Sequence, residues 1–222
     1  MKLSDSTLSL LKNFSTINTS ILFKKGNKLR TISVMKNILA EATISEELPK
    51  DFGIYDLNQF LNGLGLHHDP ELNFENDSHV IIKEGRSRSK YFFAEASTIV
   101  TPPDKPLTLP SEDVTFEVST EQLEKLLKAA AIYQLPDLAV VGDSNGVKIV
   151  VRDKKNETSN DFSITVGETS DTFSFNFKVE NIKILPGTYE VVVSQKLLSR
   201  FTSKNHDLTY YIALEPDSTF GE

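Results

Sequence analysis

The sequence predicts an α+β protein made of two similar domains, each with two helices packed on antiparallel sheet. Three observations predict it. The triplet Leu10-Leu11-Lys12 recurs as Leu126-Leu127-Lys128, 116 positions later in a chain of 222 residues. Each triplet lies on a stripe spaced i, i+3, i+4, i+7: Thr7, Leu10, Leu11 and Phe14 in the first copy, Leu123, Leu126, Leu127 and Ala130 in the second. After each stripe the apolar period changes from helical to two, the period of a half-buried strand.

The elements follow in order. Ser119 with Gln122 reads as a capping box, and Ser4 as a weaker N-cap for the first helix. "TSILFKKGNKLRTISVM" and "LAVVGDSNGVKIVVRD" read as hairpins, with tight-turn signals at Gly26-Asn27 and Asn145-Gly146. Short strands follow around Ala42–Ser45 and Phe162–Val166. "DFGIYDLNQFLNGLGL" parallels "TFSFNFKVENIKIL", a strand running into a second, shorter helix. "ELNFEND" and "HVIIKEG" parallel "TYEVVVS" and "KLLSRFT", and Tyr91-Phe92-Phe93-Ala94 parallels Tyr210-Tyr211-Ile212-Ala213. The offset stays between 116 and 121, an agreement of order and spacing that independent elements would not keep. The copies are expected at 1–100 and 113–222, joined by the linker 101–112. Its prolines (Pro102, Pro103, Pro106, Pro110) favour an extended, fairly stiff connector.

Composition bounds the function. Apolar content of 39% and charged content of 25% are those of a soluble globular protein. No apolar run reaches the roughly 18 residues of a membrane span, and the N-terminus lacks the pattern of a signal peptide. Zero cysteines exclude disulfides and thiolate metal sites and fit a reducing cytoplasm. A balance of 24 basic against 31 acidic residues, net −7, argues against a protein that grips nucleic acid. The average hides an asymmetry. Residues 1–30 hold six basic side chains and one acid, whereas 205–222 hold four acids and no Lys or Arg.

With each stripe on a sheet, Lys125 and Lys128 straddle the outward face of the second-copy helix, and Lys12 takes that place in the first. A protein surrounding an anion wants positive charge there, and any solvated helix also keeps its lysines there. Exposed sheet edges of duplicated domains must be blunted, covered or paired. Head-to-tail pairing between subunits is one solution, and it makes a ring if the rotation closes.

Certain segments carry a resemblance: "MKLS" with "LLKNF" at the start, "IYDLNQFL", the Asp104-Lys105-Pro106 turn near the linker, and "YYIALEPDST" at the end. Over essentially its whole length the chain resembles the sliding clamps, the DNA polymerase processivity factors, of T-even-type bacteriophages. The resemblance implies two clamp-type domains per chain and a ring-shaped homotrimer with helices lining the hole. It implies no catalysis and no cofactor. The implied partners are encircled duplex DNA, the replicative DNA polymerase, an ATP-driven clamp loader and late-transcription factors, in the cytoplasm of the infected bacterial host. A threaded ring needs only a mildly positive inner surface, which reconciles the acidic net charge with DNA.

By resemblance, Lys2, Lys12, Lys125, Lys128 and Lys183 face DNA. Asp5 and Ala131 stand where the family tends to carry basic residues. Val100, Leu109, Tyr211, Ala213 and Leu214 would form a pocket for partner peptides. Lys90, Tyr91, Phe92 and Phe93 would meet Phe162, Ile164 and Val166 of a neighbouring subunit. Other signals are weaker. His67-His68-Asp69 has no further ligand pattern, so no metal is expected. Gly63 and Gly65 lack nucleotide-loop spacing and read as a helix end, and "KEGRSRSK" reads as an exposed turn. A virion component of duplicated β-rich domains explains the repeat but not the lysines opposite both stripes. A small hydrolase lacks a visible catalytic constellation.

Overall fold

A computed structural model describes residues 1–221. They divide into two compact units, Met1–Asp104 and the remainder from Lys105. Unit 1 runs α1 (Asp5–Ile17), β1 (Ile21–Phe23), β2 (Gly26–Ile32), β3 (Ile38–Leu48), β4 (Phe52–Ile54), α2 (Leu57–Leu64), β5 (Glu71–Asn73), β6 (His79–Glu84) and β7 (Ser87–Phe92). β1 pairs with β4, β2 with β3, and β5-β6-β7 form a sheet, all antiparallel.

Unit 2 begins with β8 (Val114–Val118) and α3 (Thr120–Tyr133). It continues through β9 (Asp137–Asp143), β10 (Gly146–Arg152), β11 (Phe162–Gly167) and β12 (Phe173–Lys178). Then come β13 (Tyr189–Ser194), β14 (Leu198–Ser203), β15 (Leu208–Ala213) and β16 (Thr219–Phe220). Its strands pair in the orders β11-β10-β9-β12-β16 and β15-β14-β13-β8. From α1 to β7 and from α3 to β15 the order of strands is the same, so the repeat is structural. Residues 101–113, which include the four linker prolines, contain no helix or strand.

Local chemistry accounts for the helices. Ser4 Oγ accepts from the Thr7 N–H at 3.2 Å, and α1 buries Thr7, Leu10, Leu11 and Phe14 against α2, β2 and β3. Ser119 and Gln122 form the full capping box: Ser119 N–H donates to Gln122 Oε1 at 2.9 Å, and Gln122 N–H donates to Ser119 Oγ at 3.3 Å. α3 buries Leu123, Leu126, Ala129 and Ala130 on β10 and β11, while Leu127 stays half-buried. The buried stripe is thus rotated from the expected one and centred near Leu126.

Three further expectations are corrected. Gly26-Asn27 turns no hairpin, because β1 pairs with β4 instead of β2. Gly26 opens β2 opposite Leu48 at a register shift, and the β2–β3 turn lies at Ser33–Asn37. There Ser33 Oγ accepts from the N–H groups of Asn37 and Ile38, both at 3.1 Å, chemistry that favours a turn. In the second hairpin Asp143 pairs with Gly146, so the loop is Ser144-Asn145, one residue earlier than the sequence signal. Gly146 has φ 103°, and a Cβ there would stand 2.4 Å from the Gly167 carbonyl oxygen.

The second short helix of unit 2 is only a 3₁₀ turn, Val179–Asn181, so among the described residues unit 2 has one α-helix. Ile182 and Ile184 are buried with Lys183 half-buried between them, a two-residue alternation that directs the chain into extended structure. Pro186-Gly187 then prevents a helical continuation.

Candidate nucleic-acid interface

The outward face of α1 carries Asp5, Ser9, Lys12 and Thr16, and that of α3 carries Glu121, Glu124, Lys128 and Ala131. With the stripe centred near Leu126, Lys128 stands opposite it, whereas Lys125 lies on the flank, roughly 110° away. Lys125 also pairs with Glu121 at 2.6 Å, one turn away, and this contact holds the Glu121 carboxyl below its usual range. Lys2 is hydrogen-bonded to Asp69, which raises the Lys2 ammonium above its ordinary value. Lys12 and Lys128 have no acidic partner within 4.0 Å among the described residues. Of the five lysines nominated from sequence, these two are the cations a phosphate would meet without a competing carboxylate. Lys183 sits in the extended segment after the 3₁₀ turn, not on a helix face.

The position of α1 depends on a residue the sequence did not mark. Glu46, near the end of β3, reaches the first turn of α1. Its carboxylate accepts from the Ser4 N–H, from Thr7 Oγ1 at 2.7 Å and from Ser45 Oγ at 3.0 Å. Burial opposes its charge, but the hydrogen bonds from Ser4, Thr7 and Ser45 outweigh it and hold the carboxyl at about 2. A negative group at a helix N-terminus also meets the favourable end of the helix dipole. No local pattern could reveal this contact across 42 positions.

Both units have strands at sheet edges, among them the two whose residues the resemblance nominates for a subunit interface. In unit 1, β7 pairs only with β6; in unit 2, β11 pairs only with β10. On β7, Arg88, Lys90 and Phe92 are exposed, while Tyr91 is half-buried on the other face, with its ring 5.3 Å from that of Phe60 and its hydroxyl bonded to the Asp56 carbonyl. Phe93 lies just past the strand in an aromatic cluster, its ring 5.0 Å from Phe52. On β11, Phe162, Ile164 and Val166 share the half-buried face. "KEGRSRSK", expected as a turn, instead puts Arg88 and Lys90 within β7.

The residues nominated for partner peptides divide by burial. In unit 1, Val100 is 37% exposed beside buried Ile99. In unit 2, Leu109 is half-buried in irregular chain, Tyr211 and Ala213 share the half-buried face of β15, and Leu214 is buried. Of the loop signals, His67 is buried with Nε2 at 3.3 Å from Ser89 Oγ, and the N–H groups of His68 and Asp69 donate to Glu84. Gly65 caps α2, and Gly63 lies within its last turn. No cluster of three or more potential metal ligands occurs among the described residues.

Known proteins share both the sequence and the fold. A family model described as DNA polymerase processivity factor matches residues 2–101, and one described as gp45 sliding clamp, C terminal, matches residues 115–216. The sliding clamp of Escherichia phage RB69 is 35% identical over 228 residues, 99% of each chain. That of Enterobacteria phage T4 is 33% identical over 99% of each, and that of Vibrio phage KVP40 is 32% identical over 97% of this chain and 99% of its own. Among solved structures, A. fulgidus PCNA bound to the C-terminal region of FEN-1 superposes with TM-score 0.71 at 15% identity, covering 98% of both chains. PCNA from Thermococcus kodakaraensis gives 0.70 at 14% identity, over 95% of this chain and 96% of its own. The chain has the DNA-clamp fold, and it belongs to the sliding-clamp family of DNA polymerase processivity factors.

Proposed function

We propose that three copies of the chain close into a ring that encircles duplex DNA and tethers the replicative polymerase during viral DNA synthesis. The observation that supports this reading is that β7 in unit 1 and β11 in unit 2, the strands the resemblance nominates for the subunit interface, each lie at a sheet edge with one side unpaired. Two different edges on one chain join head to tail, and a closed rotation makes a ring instead of a filament. Three is the number that the resemblance to the T-even-type clamps implies. Lys12 and Lys128 face the DNA in this reading, with Lys2, Lys125 and Lys183 contributing less. Topology, not affinity, retains the duplex, so a net charge of −7 is no obstacle. An ATP-driven loader opens the ring, and the loaded ring also serves late transcription, all in the cytoplasm of the infected host. Tyr211 and Ala213 on β15 are the best-placed residues of the nominated peptide pocket. The ring is a tether and performs no catalytic step.

The test combines mass and retention. Light scattering across concentrations should give trimer mass, and protein loaded on circular DNA should stay bound and leave once the circle is cut. Lys12→Glu with Lys128→Glu should lower polymerase processivity at unchanged mass, and Lys2→Glu with Lys125→Glu should lower it less. A monomer at every concentration, or equal retention on circles and linear DNA, would overturn the reading.

A further inference from the structure

The free edges of β7 and β11 differ in charge. The β7 edge presents Arg86, Arg88 and Lys90, all exposed. Asp161 and Glu168 flank β11, and Asp171 follows in the loop to β12, all three exposed. None of these six has an ion-pair partner within 4.0 Å among the described residues, although ion pairs are common elsewhere, from Lys24–Asp51 at 2.9 Å to Lys154–Asp217 at 2.6 Å. Glu84, the last residue of β6 before the turn into β7, accepts from the N–H groups of His68 and Asp69. His79, paired across the ladder with Phe92, senses the local field. Burial and then the charges of Lys90, Arg88 and Lys50 push its imidazole below the ordinary value.

Cations on an edge strand commonly serve to blunt it against pairing. That explains β7 alone, but not the acids at both ends of β11. We propose that unlike charge on the two edges selects the head-to-tail order in which copies of this chain join. The proposal rests on the ring reading above and concerns what orients its junctions. Pairing β7 with a second β7 would set cations against cations, and two β11 strands would set anions against anions. Both raise the free energy of the symmetric alternatives. Antiparallel pairing of β7 with β11 of the next copy brings Arg86 and Arg88 to the Glu168–Asp171 end and Lys90 to the Asp161 end. The attraction acts across an exposed seam, so salt weakens it.

The experiment measures assembly by sedimentation at about 0.05 M and about 0.5 M salt, conditions that shorten the screening length roughly threefold. Three variants accompany the parent: Arg86→Glu/Arg88→Glu/Lys90→Glu, Asp161→Lys/Glu168→Lys/Asp171→Lys, and the two sets combined. Circular dichroism verifies that each folds. Each triple variant should assemble only at concentrations at least about tenfold higher than the parent, and high salt should weaken the parent similarly. The combined variant, with both signs exchanged, should recover to within about threefold of the parent. Triple variants that assemble like the parent, or a combined variant no better than either, would overturn charge selection and leave the ring reading standing. A parent that never assembles would overturn both.

Discussion

Replacing Glu46 by Gln tests whether a charged residue on β3 fixes the start of α1, the helix that presents Lys12. The carboxylate takes hydrogen bonds from the Ser4 N–H, Thr7 Oγ1 and Ser45 Oγ. Its pKa falls from the ordinary 4.5 to about 2. A shift of that size corresponds to about 3 kcal/mol if undiminished. The side chain is only partly buried, and solvent screening reduces this to about 1–2 kcal/mol. For a chain of this length such a loss lowers Tm by about 2–8 °C at pH 7. The sign of the pH dependence follows from a depressed folded-state value. The stabilisation is complete above pH 4.5 and is lost as pH falls towards 2. Thermal unfolding of parent and Glu46→Gln should therefore differ at neutral pH and converge across that window, and amide exchange in the first turn of α1 should quicken in the variant at neutral pH. A difference equally large at neutral pH and near pH 2 would refute the argument, since it could not arise from the ionised carboxylate.

Three more substitutions probe packing. Gly142→Ala places a Cβ 2.2 Å from the Phe173 ring and should cost about 1–3 kcal/mol, read as a lower urea midpoint at unchanged slope. Leu126→Ala, at a side chain with no solvent exposure, should cost about 2–5 kcal/mol. Leu127→Ala, at a half-buried site, should cost only about 1 kcal/mol. Equal losses at 126 and 127 would contradict the rotated stripe.

Much of the fold was legible because it is local. The stripe through Leu10, Leu11 and Phe14, the Ser119–Gln122 capping box and the second hairpin each depend on residues within a few positions of one another. Duplication made the reading firmer, since two copies of each pattern had to agree. The reading failed where local signals compete: glycine and asparagine at 26–27 resemble a turn, and "VENIKIL" resembles a helix until the burial of Ile182 and Ile184 is known. In the candidate site, the sequence nominated the lysines but not the carboxylates that pair with Lys2 and Lys125. Glu121 was within reach of an i, i+4 argument, whereas Asp69 lies 67 positions from Lys2.

The sequence by itself determined the repeat, the amphipathic helices and the sign of the charge on each segment, because these reside in composition and short-range periodicity; the family came from the likeness of its segments to known clamps. Only the tertiary structure decided that β1 joins β4, that Glu46 holds α1, that Lys12 and Lys128 are the uncompensated helix cations, and that β7 and β11 each lie at a sheet edge. The physical reason is that strand pairing and ion pairing are satisfied between segments distant along the chain. A residue's own neighbours in sequence place no bound on which distant partner it finds.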